Sequence, residues 1–130
     1  MAMEVQLVSP ERILYSGEAV GVLARTIGGG DIAFLPGHAP LIGALAIHPV
    51  TIHPEEGDDV VVAVHGGFVE VSNNRVTILS DVAELPEQID VARAEAAKVA
   101  AEEALRADSG DVAAKDALAR ATTRLTVKPD

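Results

Sequence analysis

The chain has 130 residues, room for one ordinary domain plus an appendage, and 48% of them are hydrophobic, which excludes a disordered protein. Its aromatic residues are Tyr15, Phe34 and Phe68, and its net charge is −10, so a nucleic-acid surface is excluded and direct contact with anionic lipid is disfavoured. Cysteine is absent, which removes disulfides, thiolate nucleophiles and sulfur-rich zinc sites and suits a reducing compartment.

The opening Met1-Ala2-Met3-Glu4 has no basic leader, and no segment reaches the roughly 18 apolar residues that span a bilayer. A soluble, unexported chain with protein or small-molecule partners is therefore expected. From Val5 to about Val82 short β-rich runs alternate with turn residues every eight to twelve positions, the pattern of a small antiparallel sandwich of about 8–10 short strands. The runs fall near residues 4–8, 12–15, 18–27, 31–35, 42–47, 50–54, 59–64, 67–72 and 75–80. Val60 to Val64 is almost wholly apolar and reads as a central strand, and Asn73-Asn74 reads as a two-residue hairpin turn.

Gly28-Gly29-Gly30 precedes a strand and lacks a P-loop lysine, so it reads as a hairpin turn and not as a phosphate cradle. The run that follows, Gly30-Asp31-Ile32-Ala33-Phe34-Leu35-Pro36-Gly37-His38-Ala39-Pro40-Leu41, is a strand leading into a constrained polar loop. Pro36 fixes one φ, Gly37 frees the next and Pro40 restricts Ala39, which places the imidazole of His38 at the tip of a stiffened loop.

After Pro86 the period changes. Asp90 to about Ala107 and Asp111 to about Val127 are rich in Ala, Glu, Lys, Arg and Leu without Pro or Gly, and they read as two helices. The link Asp108-Ser109-Gly110-Asp111 is short enough for an antiparallel hairpin, with Gly110 expected in the left-handed C′ conformation and Asp111 as the next N-cap. The facing stripes are expected at Ile89, Ala92, Ala96, Val99 and Ala100 on the first helix and at Ala114, Ala117, Leu118, Ala121 and Leu125 on the second. Such alanine seams bury little area, so the hairpin should be weakly held. The division is thus a β-sandwich domain over 1–86 and a helical hairpin over 87–130. Charge divides with it: residues 1–86 carry 3 basic and 11 acidic groups, whereas 87–130 carry 7 basic and 9 acidic. Lys115, Arg120, Arg124 and Lys128 give the second helix a basic face suited to an acidic partner.

Bland readings stand beside sharper ones. In Ile89-Asp90-Val91-Ala92-Arg93-Ala94, Asp90 reads as an N-cap and Ile89 as the outer half of a hydrophobic staple on Ala94, either alone or together with ligand binding. Arg120 and Arg124, one turn apart, suit a polyphosphate, a solvated helix or an acidic subunit surface. His38, His48, His53 and His65 lack helical metal spacing, so no shared metal site is expected. His65 or His38 as a general base has no accompanying Ser or Cys nucleophile motif. The Ala-rich helices also fit an ordinary coiled-coil hairpin.

The loop at 30–41, the opening Met1-Ala2-Met3 with Val8-Ser9-Pro10-Glu11 and Tyr15-Ser16-Gly17, the run Gly66-Gly67-Phe68-Val69-Glu70-Val71, the Ile89-Asp90-x-x-Arg93-Ala94 box and the ending Arg120-x-x-x-Arg124-Leu125 closely resemble, in order, the ε subunit of bacterial F-type ATP synthases. In the loop, Asp31 and Ala33 stand where that family often has Glu and Gly. The resemblance implies a non-catalytic rotor subunit whose sandwich binds γ and the c-ring. It implies a mobile hairpin that restrains ATP hydrolysis through contacts with the α and β subunits. Asp31, Gly37 and His38 match c-ring-facing positions, and Lys115, Arg120 and Arg124 are candidate inhibitory contacts. In relatives with a nucleotide-sensing hairpin, positions matching Ile89, Asp90, Arg93, Ala94, Arg120 and Arg124 bind ATP as a regulatory ligand, with no other cofactor required, and Glu84 just upstream is a further candidate for that site. A further family arginine, seven residues after the box arginine, is Ala100 here, a loss on the order of 1.5–3 kcal/mol of phosphate binding. The location implied is the cytoplasmic face of a bacterial plasma membrane, held through the complex. The alternative from the residues alone is a stand-alone all-β binding module or small hydrolase with a helical appendage.

Overall fold

The computed structural model describes residues 1–130. Strands come first: β1 (Met3–Ser9), β2 (Arg12–Thr26), β3 (Gly30–Phe34), β4 (Leu41–Pro54), β5 (Val60–Ser72), β6 (Arg75–Leu79) and the short β7 (Ala83–Glu84). A 3-10 turn at Pro86–Gln88 then leads into α1 (Val91–Ala107) and α2 (Val112–Val127). This is the β-sandwich followed by a helical hairpin that the change of period predicts.

The nine short runs are joined into fewer, longer strands. Ser16-Gly17, His48-Pro49 and Gly66-Gly67 lie inside β2, β4 and β5, where the sequence suggested breaks. At Gly66 (φ +84°) and Gly67 (φ +131°) β5 bends without ending, and a Cβ on Gly67 would run into the Leu79 carbonyl. The order along the sheet is β1-β6-β5-β4-β2-β3, with β1 also pairing β2 and β7 pairing β5, so the strands close on themselves. β1 and β6 run parallel, whereas the other pairs are antiparallel. That one parallel pair joins the first strand of the chain to the sixth, a match that no local pattern announces. Asn73 and Asn74, at φ 51° and 61°, make the β5–β6 turn expected of them.

The core lies inside the sandwich and is built from Val, Ile, Leu and Ala around one aromatic ring, Phe34. Val5, Ile52, Val62, Val64, Val69 and Ile78 are fully enclosed. β5 is central, bonded to β4, β6 and β7, which is why Val60 to Val64 reads as a buried run.

The hairpin packs through α2 onto β4 and β5, and α1 packs onto α2. Asp90 caps α1 by accepting the Arg93 amide (3.1 Å), and Asp111 caps α2 by accepting the Ala114 amide (3.0 Å). Gly110 is not left-handed: α1 stops at an extended Asp108, whose carboxylate accepts the Gly110 amide at 3.0 Å and turns the chain locally. The α2 stripe lies where expected, with Ala114 and Ala121 buried, and it also encloses Thr123 and Val127. The α1 stripe does not. Ala94 and Ala101 are its buried residues, whereas Ala92, Ala96, Val99 and Ala100 face solvent. Alanine occurs on every side of α1, so composition cannot say which side turns inward.

Candidate functional site

Where the sandwich meets the hairpin, a cleft of about 440 Å³ is lined by Glu84, Gln88, Asp90, Arg93, Ala94, Ala97, Ala117, Arg120 and Arg124. Three segments contribute: β7 supplies Glu84, the start of α1 supplies Asp90, Arg93 and Ala94, and α2 supplies Arg120 and Arg124. Six of the seven sequence-derived ATP candidates therefore meet on one wall-to-wall cleft. The exception is Ile89. It lies in an apolar seam with Ala63 and Val127, only 8% exposed, and anchors the cleft's edge without lining it. Gln88 and Ala97 were not among the sequence-derived candidates, and Ala117 was expected only in the packing stripe of α2. Gln88 was legible in principle, since a Gln three residues on can reach back over a 3-10 turn: its amide oxygen accepts the Leu85 amide (2.9 Å), and its own backbone amide donates to the Leu85 carbonyl (3.0 Å).

Glu84 organises the cleft. Its Oε1 accepts from Arg124 Nε at 2.7 Å and faces Nε2 of His65 at 2.8 Å, tying β5, β7 and α2 together. Burial opposes ionisation of Glu84, but the Arg124 and His65 hydrogen bonds outweigh it and hold the carboxyl below its usual range. Burial pushes His65 down, aided by the Arg124 and Arg120 charges and opposed by Glu84. The imidazole is therefore neutral near pH 7 and donates from Nε2. Its side chain is 3% exposed, and Nδ1 is buried without a partner. Arg124 is committed to Glu84, whereas Arg93 and Arg120 point two uncommitted guanidinium groups toward the same space. Converging arginines beside a helix N-terminus can hold a polyphosphate, with Ala94 and Ala97 leaving room.

The loop at 35–40 is tied to its surroundings, but not in the way its sequence suggests. The His38 ring folds back edge-on against Phe34 (5.2 Å between centroids) and its Nδ1 lies 2.7 Å from the Ala39 carbonyl oxygen, so it is half-buried and not a projecting tip. Gly37, at φ +83°, donates its amide to Asn74 Oδ1 (3.0 Å), and Asn74 in turn donates to the Ala2 carbonyl (2.8 Å). Asp31 is paired across the β2–β3 hairpin with Arg25 (2.8 Å). That hydrogen bond holds the Asp31 carboxyl below its ordinary value. His48 and His53 have separate partners, Pro49 and Asp59. Lys115 does not share a face with Arg120 and Arg124: at about 100° per residue it lies on the opposite flank of α2. There it borders a second groove of about 570 Å³ with Leu23, Ile47 and Leu118.

The outer face of the sandwich carries a row that the sequence did not reveal. Register places Ala44, Phe68, Leu79, Val8 and Ile13 opposite one another in turn across five strands. Phe68, Leu79 and Ile13 are all more than half exposed, as is neighbouring Ile42. Glu11, Glu70 and Asp81 border them in sequence.

Residues 2–86 match the family described as ATP synthase, Delta/Epsilon chain, beta-sandwich domain, and residues 87–128 match ATP synthase, Delta/Epsilon chain, long alpha-helix domain. A relative in Thermobifida fusca called ATP synthase epsilon chain is 46% identical over 124 residues, 93% of this chain and 88% of that one. One of the same description in Streptomyces griseus is 48% identical over 95 residues, 73% of this chain and 76% of its own. In fold, the chain is similar to a chain of the Euglena gracilis mitochondrial ATP synthase OSCP/F1/c-ring structure. The TM-score is 0.80 at 22% identity, covering 96% of this chain and 79% of that one. It is also similar to a chain of the Tetrahymena thermophila mitochondrial central stalk and c-ring, with a TM-score of 0.61 at 17% identity, covering 99% and 98%. With both domain models matched in order from residue 2 to residue 128, the chain belongs to the ATP synthase delta/epsilon chain family.

Proposed function

We propose that this chain is a non-catalytic rotor subunit of a proton-translocating ATP synthase, and that its hairpin is a nucleotide-responsive brake on ATP hydrolysis. The observation that carries the reading is the cleft, where Arg93, Arg120 and Arg124 converge from two helices beside Glu84 and the capped start of α1. A triphosphate there would bridge α1 and α2 while both lie on the sandwich, and would stabilise the docked arrangement by mass action. Released, α2 would turn Arg120 and Arg124 outward, free to meet acidic surfaces of the α and β subunits. Ala100 weakens the nucleotide site relative to relatives that carry arginine there. The His65–Glu84 pair would suit the hydrolase alternative only if Glu84 were free, and it is tied to Arg124.

The sandwich is the coupling element. Its exposed row of Ile13, Leu79 and Phe68 is an apolar docking strip for γ, and the acidic Glu11, Glu70 and Asp81 beside it favour a basic-edged partner. The loop carrying Asp31, Gly37 and His38 faces the c-ring in this arrangement. No helix is long and apolar enough to cross a membrane, so attachment at the cytoplasmic face of the plasma membrane would come through the complex.

The test is calorimetric titration of the full chain with MgATP, beside the Arg93→Ala/Arg120→Ala double variant. Saturable binding in the micromolar to millimolar range that the double variant abolishes supports the nucleotide site. Absence of binding up to several millimolar overturns it and leaves Asp90 as a cap alone.

A further inference from the structure

His65 is not among the residues that line the cleft, yet it supports it from behind. The ring is almost fully enclosed, its Nε2 meets Glu84 at 2.8 Å, and the same carboxylate oxygen holds Arg124 of α2 at 2.7 Å. This is a single chain of contacts from the centre of the sandwich to the mobile helix. The opposite ring nitrogen, Nδ1, has no partner. In a neutral imidazole that costs only the desolvation of one lone pair, less than an unpaired charged donor would cost. A protonated one costs more, because a second N–H, now cationic, would be buried without an acceptor.

We propose that His65 is a proton-operated positioning residue for the hairpin: neutral, it fixes Glu84 against Arg124 and keeps α2 docked; protonated, it releases α2. The proposal rests on the reading of the hairpin as an element that leaves the sandwich. The charged groups around the ring set its sign. Glu84 on β7 favours protonation, but its charge is already shared with Arg124. Arg124 and Arg120 on α2 oppose protonation. Across the cleft, Arg93 opposes Asp90 at the start of α1. Asp81 precedes β7, in the turn whose Val82 carbonyl accepts the His65 amide at 3.0 Å. On β4 the residue opposite His65 is the uncharged Ile47.

When α2 leaves, both arginines go with it and the ring meets water, so the released state binds the proton more tightly. By linkage, acid then favours release: docking is intact at neutral pH and weakens as the pH falls below the ordinary histidine range. Glu84 remains ionised through that window because it is held below its usual range. The cell's proton balance would thus act on the hairpin through a residue distinct from the nucleotide contacts.

The full chain lacks cysteine, so single cysteines placed at exposed Ser16 and Ala107 accept a pair of spin labels that report the distance between sandwich and hairpin. In the otherwise wild-type chain, the released-to-docked ratio should rise about tenfold or more between about pH 8 and about pH 5.5. His65→Gln keeps an N–H for Glu84 but cannot titrate, and its ratio should stay flat across that range. Val127→Asp, which breaks the seam with Ala63 and Ile89, should show the released distance at every pH. The proposal is overturned if His65→Gln follows the wild type, or if the wild type stays docked in acid while Val127→Asp opens. If Val127→Asp also keeps the docked distance, the hairpin does not separate, and both the proposal and the mobile-hairpin reading fail.

Discussion

Single side chains carry more of this molecule's behaviour than its alanine-rich sequence suggests. Glu84 is held by two donors in a half-buried place, so removing one leaves a carboxylate under-satisfied. Arg124→Ala should loosen the docked hairpin by about 1–3 kcal/mol, read as faster amide exchange in α1 and α2 with the sandwich core unchanged. Asp90 was legible as a cap, and the bond to the Arg93 amide shows why: a carboxylate before a run of helix formers satisfies an otherwise orphaned donor. Asp90→Ala should cost about 1 kcal/mol of stability by thermal unfolding, whatever its effect on nucleotide. Ile89 carried two readings, an apolar residue packing beside the cap and a ligand contact within the box, and the structure places it in a packing seam with Ala63 and Val127. An arginine restored at position 100 would stand two turns beyond Arg93 on the same face. Ala100→Arg should tighten MgATP binding about tenfold or more by calorimetry if the cleft takes the triphosphate there.

At the scale of elements, strand existence was legible and strand length was not. Glycine and proline inside β2, β4 and β5 read as breaks, but in a closed sandwich long strands bend at such residues and keep pairing on both sides. Helix ends were legible to within a residue because caps are local chemistry. The packing face of α1 was not, since alanine at 92, 94, 96, 97, 100, 101 and 104 offers several equivalent stripes and only the partner surface chooses among them. The choice leaves Ala94 and Ala101 as the buried pair of α1, so little apolar area holds it down. Ala121 is 1% exposed in α2, and Ala121→Val should overpack the seam and cost about 1–3 kcal/mol, seen as hairpin exchange rising before any change in the β-strands.

For the whole molecule, fold class and the order of its two parts followed from the switch in hydrophobic period, whereas the residues that meet in the cleft were named through the resemblance to the ATP synthase ε subunit, their types alone leaving capping and surface readings open. The outer apolar row did not follow, because it exists only once five strands are in register, two of them parallel partners distant in the chain. Phe68→Glu places a charge in that row on a residue already 61% exposed, so it should leave the fold unchanged and weaken assembly with γ, measured by co-sedimentation of the reconstituted rotor. The pH dependence also belongs at this scale. Burial lowers His65, so docking is lost as the pH falls from the ordinary histidine value toward its lowered one. The lowered Glu84 adds a second loss only at more acid pH.

The most direct test asks whether the docked hairpin and the braking hairpin are two states of one element. Ala63→Cys/Val127→Cys places a cysteine pair in the buried seam of a chain that has no other, so that oxidation would clamp α2 to β5. In the reconstituted enzyme, the oxidised variant should leave ATP hydrolysis unrestrained, and reductant should restore the restraint. Equal restraint in the oxidised and reduced forms would contradict a brake that works by leaving the sandwich.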